Sequence, residues 1–129
     1  MKNYNLYIII LIICTSLVAC NKFGEKLNIN GGTLYYKSPV TKEEAQKLGE
    51  YLEETDFFDG TPKTLQLNKK DSIWILKIVV KKGTENDPEY TDIASQFSRE
   101  LSYNVFDKKQ VEIHLCNKRL ETLRIVIGM

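Results

Sequence analysis

Two stretches of the chain repeat their apolar residues at helical spacing, and each lies between pairs of runs that alternate apolar with polar residues. That succession constrains the fold more than any other feature, because one element cannot satisfy a side-chain period of 3.6 and a period of 2 together. In "SPVTKEEAQKLGEYLEETDFFDG", Ala45, Leu48 and Leu52 fall at i, i+3 and i+7, while Lys42, Glu43, Glu50 and Glu53 lie off that stripe. Thr41 and Glu44 have the spacing of a capping box, so a helix is predicted over 42–54. Gly49 inside it costs about 1 kcal/mol relative to alanine, which implies close packing there. A second helix is predicted over about 88–103. Asp87 caps it, Pro88 opens it, and Tyr90, Ile93, Ala94, Phe97 and Leu101 keep its period.

The alternating runs come in pairs. Asn30-Gly31 within "KLNINGGTLYYK" accepts the positive φ of a tight turn, giving a β-hairpin over about 26–37. Leu65 and Leu67 alternate before a polar turn, and "IWILKIVVK" follows, interrupted only by Lys77. Such a strand belongs at the centre of a sheet, with Trp74 in the core. In "QVEIHLC", Val111, Ile113 and Leu115 share one face and Glu112, His114 and Cys116 the other; in "LETLRIVI", Leu123, Ile125 and Ile127 form the inward set and Arg124 points out. The resulting order ββ-α-ββ-α-ββ predicts an α+β fold, an antiparallel sheet of hairpins with two helices on one face. A tandem ββα duplication would explain why each helix is followed by an aromatic residue and an aspartate, Phe58-Asp59 and Phe106-Asp107.

The N-terminus speaks of location. The apolar run from Leu6 to Ala19 follows the basic Lys2 and is shorter than the roughly 20 residues a membrane-spanning helix needs, so it reads as an export signal. It ends in "LVAC", Leu17-Val18-Ala19-Cys20, which resembles the lipobox of bacterial lipoproteins. The resemblance implies that the Cys20 sulfur takes up a diacylglyceryl group as a thioether, that the bond after Ala19 is cut, and that Cys20 becomes an acylated N-terminus in the cell envelope. By resemblance to the sorting of enteric lipoproteins, Asn21 points to the outer membrane, facing the periplasm, rather than the inner one. The expected organisation is a signal peptide over 1–19, a lipidated N-terminus and tether over 20–26, and a single α+β domain over 27–129.

Loss of residues 1–19 from the 129-residue chain leaves 110, enough for one modest core. Of the 18 basic residues only Lys2 is lost, so 17 face 17 acidic ones and no electrostatic case for nucleic acid remains. Cys14 goes with the signal and Cys20 carries lipid, which leaves Cys116 without a disulfide partner.

Glu112, His114 and Cys116 combine the residue types of metal sites and cysteine hydrolases. Alternate Cβ atoms on a strand are about 6.5–7 Å apart, so all three converge poorly on one ion, and no second histidine completes a set. No phosphate loop, nucleophile elbow or Cys-x-x-Cys occurs, and no cofactor is expected. Beyond the lipobox, "GGTLYYKSPVTKEEAQKLGEYLEETDFFDG", "KTLQLNKKDSIWILKIVVKKG", "LSYNVFD" and "VEIHLCNKRLETLRIV" resemble a small α+β domain of unknown function that recurs in bacterial membrane-associated proteins.

The expectation is a membrane-anchored envelope lipoprotein whose domain is a non-catalytic binding module for another envelope protein. Its interaction surface would be the open sheet face, holding Glu112, His114, Arg124 and one of Tyr35 and Tyr36. The alternative is a small envelope enzyme or metal-binding protein built on Glu112, His114 and Cys116.

Overall fold

The computed structural model describes residues 22–128. The expected signal peptide over 1–19 and Cys20 lie outside them. Strands β1 (Glu25–Ile29) and β2 (Gly32–Tyr36) are joined by Asn30 and Gly31, both at positive φ. Helix α1 (Lys42–Glu54) starts at a complete capping box: the Glu44 N–H donates to Thr41 Oγ1 at 3.2 Å, and the Thr41 N–H donates to Glu44 Oε1 at 3.0 Å. Strands β3 (Thr64–Lys70) and β4 (Ile73–Val79) follow, then a 3-10 turn (Thr84–Asn86), helix α2 (Pro88–Asn104) and strands β5 (Val111–Cys116) and β6 (Thr122–Ile127). Asp87 caps α2 by accepting from the Glu89 N–H at 3.0 Å. The 3-10 turn ahead of α2 is an element that the expected order lacked.

The fold is α+β, with six strands in one sheet in the order β1-β2-β3-β4-β5-β6. The sheet is mixed, which corrects the expected antiparallel one. β1–β2, β3–β4 and β5–β6 pair antiparallel, whereas β2–β3 and β4–β5 pair parallel. The parallel pairs are those joined through a helix. A helix carries the chain back to the end of the sheet where the previous strand began, so the next strand runs alongside it in the same direction.

Both helices lie on one face. Leu34, Leu65, Leu67, Leu76, Ile113 and Leu115 project from the sheet toward Ala45, Leu48 and Leu52 of α1 and Ala94 and Leu101 of α2. Phe58 and Phe106 follow the helix ends and fill the core from either side, Phe106 stacking on Trp74 with ring centroids 4.4 Å apart. Gly49 lets α1 close onto the sheet, because a Cβ there would collide with the Ile29 side chain.

Two further expectations are corrected. Strand β1 begins at Glu25, inside the stretch read as a tether, and Phe23 already packs on Tyr35. In β6 the inward set is reversed. Val126 pairs with Ile113 and Arg124 with Leu115, on the helix side, while Ile125 pairs with His114 and Ile127 with Glu112 on the open face. An irregularity at Leu115/Cys116, where β6 carries an extra residue, breaks simple alternation through the strand. No helix among the described residues is long and apolar enough to cross a membrane.

Candidate functional site

The open sheet face is less open than its alternation implies. His114 is 8% exposed and Cys116 fully buried, although both point away from the helices. The β5–β6 loop closes over them. Lys77, beside His114 on β4, donates from Nζ to the Leu120 carbonyl at 3.0 Å, and Leu120 is itself buried in a left-handed conformation, outside the main core. At the other side Gln66 is buried beneath the N-terminal segment, donating from Nε2 to the Phe23 carbonyl at 2.9 Å.

Within this covered layer the polar residues satisfy one another. His114 Nε2 lies 3.0 Å from Glu112 Oε1, and Nδ1 lies 2.9 Å from Thr122 Oγ1. In a neutral imidazole Nε2–H donates to the carboxylate and Nδ1 accepts from the hydroxyl. The Cys116 thiol donates to the His114 backbone carbonyl at 3.3 Å and does not meet the imidazole. Burial pushes this thiol above its ordinary pKa, which disfavours the thiolate a nucleophile needs. The arrangement therefore lacks the base-to-nucleophile hydrogen bond of cysteine hydrolysis. Among the described residues no group of three His, Cys, Asp or Glu side chains could hold a metal ion.

Of the expected surface, Tyr35, Glu112 and His114 lie on the open face, with His114 buried. Tyr36 packs against the core instead. Arg124 is exposed on the helix-bearing side, because its partner Leu115 faces the helices. The expected open-face surface of Glu112, His114, Arg124 and one tyrosine is thus corrected to a partly covered layer without Arg124.

A site that sequence reasoning missed lies on the other side. Between the end of α1 and helix α2 runs an apolar trough of about 410 Å³, floored by Ile78, Val80 and Leu115 and walled by Phe57, Ile93 and Phe97. Phe57 and Phe97 stack across it with centroids 5.3 Å apart and planes at 12°. Tyr90 and Ile93, counted in the sequence among the residues keeping the helical period, are 52% and 55% exposed at its mouth. Glu100, Gln96 and Thr84 supply its few polar groups. Exposed apolar residues beside a partly open trough mark a surface able to take apolar side chains from another molecule. The available signal was width: Tyr90 and Ile93 flank the buried line of Ala94, Ser98 and Leu101, broadening the apolar face of α2 beyond what the core uses.

Residues 26–126 match the model of a protein family under the description of a family N-terminal domain, and the chain belongs to that family. No curated protein and no solved structure matches it.

Proposed function

We propose that this family member is a lipid-anchored envelope protein whose domain binds another envelope protein and catalyses no reaction, with the helix-side trough as its contact site. The exposure of Tyr90 and Ile93 over an apolar floor carries the reading of the site. The trough is open along one side and suits inserted side chains of a partner segment better than full enclosure of a small molecule. The Leu17-Val18-Ala19-Cys20 motif supports the anchor, and Asn21 supports placement on the outer membrane, facing the periplasm.

Crosslinking in intact cells tests the site. A photoreactive residue in place of Ile93 should give a discrete protein adduct, and one in place of Glu50 on the outer face of α1 should not. Equal or absent adducts at the two positions would remove the trough from consideration. Fractionation on a density gradient should place the chain with outer-membrane markers; enrichment with inner-membrane markers overturns that placement.

The architecture also supports a tandem ββα duplication. Each helix is followed by a buried phenylalanine and an aspartate, and each leads into a parallel strand. Equivalent positions should cost alike, so Phe58→Ala and Phe106→Ala are expected to destabilise by similar amounts, about 3–5 kcal/mol. A large inequality in chemical denaturation would count against equivalence.

A further inference from the structure

The charges of this nearly neutral chain are unevenly placed. Helices α1 and α2 carry eight acidic residues against three basic ones, while the whole chain has 17 acidic and 18 basic, so the excess of bases lies in strands and loops. Four of these bases meet at one end of the sheet. Lys81 and Lys82 after β4, with Lys118 and Arg119 of the β5–β6 loop, line an open cleft whose only acid is Glu85 and whose apolar members are Val80 and Leu123. From there the edge strand β6 presents Leu123, Ile125 and Ile127, with Ile125 at 53% and Ile127 at 41% exposure on the open face. The chain also enters the domain from that face: Phe23 stacks on Tyr35 with centroids 5.5 Å apart, and its carbonyl is held by Gln66. Cys20 lies three residues earlier, a reach of about 10 Å.

We infer that the open sheet face and its β6 edge dock on an anionic lipid bilayer. Ile125 and Ile127 enter the boundary between headgroups and acyl chains, and Lys81, Lys82, Lys118 and Arg119 meet headgroup phosphates. Exposed aliphatic residues joined to a basic cluster are the composition that interfacial binding uses, since each supplies what the other lacks. The tether selects a lipid surface over another occupant because it leaves the fold on this same face. The acidic helix layer then lies on the side of the sheet away from the membrane, and its trough meets the basic cleft at Val80. This docking rests on the lipid anchor proposed above.

The test uses the full chain, processed in cells, purified and reconstituted into vesicles of brominated phosphatidylglycerol or brominated phosphatidylcholine. Tryptophan fluorescence is compared for Ile125→Trp, Ile127→Trp and Glu50→Trp, the buried Trp74 giving all three the same background. In phosphatidylglycerol, Ile125→Trp and Ile127→Trp should be quenched at least about twofold more than Glu50→Trp. Adding Lys118→Glu and Arg119→Glu, or raising salt from about 0.1 M to about 1 M, which shortens the screening length from about 10 Å to about 3 Å, should reduce that difference. If the chain co-sediments with vesicles but positions 125 and 127 are quenched no more than position 50, docking is overturned and the anchor stands. Equal quenching in phosphatidylcholine overturns the requirement for anionic lipid. A chain that fails to co-sediment contradicts the anchor, and the docking with it. A dimer that shields position 125 from brominated lipid assigns the β6 edge to a second copy and overturns the proposal.

Discussion

His114 shows how one side chain changes meaning with its surroundings. Beside Glu112 and Cys116 in the sequence it has the makings of a site; in the fold both its nitrogens are engaged and it is covered by the β5–β6 loop. Its removal should therefore register as lost stability. His114→Ala leaves the Glu112 carboxylate and Thr122 hydroxyl without their partner, and is expected to cost about 1–3 kcal/mol in urea denaturation. An unchanged midpoint would show that the cluster contributes nothing to folding. Cys116 should react with a thiol reagent only after unfolding. Because its pKa is raised by burial, the folded chain keeps the thiol neutral while the unfolded chain loses its proton first, so this contribution to stability declines as pH rises past the ordinary thiol value of about 8.5. Asp59 has the opposite sign. Lys63 and Thr61 hold its carboxylate well below its usual range by hydrogen bonding. The small contribution of this exposed group is present above about pH 4 and is lost as pH falls toward the lowered value. Asp59→Asn should flatten the acid limb of a stability–pH curve; an unaltered limb would contradict the assignment.

The register of β6 makes the sharpest prediction at the level of elements. Val126 packs on the core from opposite Ile113, whereas Ile125 faces the open side. Val126→Asp should then destabilise by several kcal/mol, roughly the cost of burying an unpaired carboxylate or unfolding to avoid it. Ile125→Asp should stay within about 1 kcal/mol of the parent. Comparable losses from both would restore the alternation first read from "LETLRIVI". Both helices, their caps and the turn at Asn30-Gly31 were legible because those signals are local: a side-chain oxygen three residues from an amide, a residue tolerant of positive φ. Illegible were the parallel pairings β2–β3 and β4–β5, which arise where a helix returns the chain. The reversed face of β6 depends on an irregularity that no periodicity announces. The cover over Cys116 was hidden for a related reason, since Leu120 adopts its left-handed conformation in a loop whose sequence carries no glycine.

At the scale of the whole molecule the sheet divides two environments. The open side carries the N-terminal entry and the aliphatic residues of β6, the other carries acidic helices and an apolar trough, and the basic cleft lies at the end of the sheet where Val80 joins it to that trough. The trough escaped the sequence because Tyr90, Ile93 and Phe97 share the same helical period, and periodicity alone does not separate residues that complete a core from residues that line an opening. The proposed lipid anchor is what assigns the two sides their roles, for without it neither face has a defined orientation. Its most direct test is labelling with a radioactive fatty acid in growing cells, followed by membrane fractionation of the parent and Cys20→Ala. The account predicts label on the parent in the membrane fraction, and no label on Cys20→Ala, which should be released or held as the unprocessed precursor. Label entering Cys20→Ala, or a parent chain that takes up none, would contradict it.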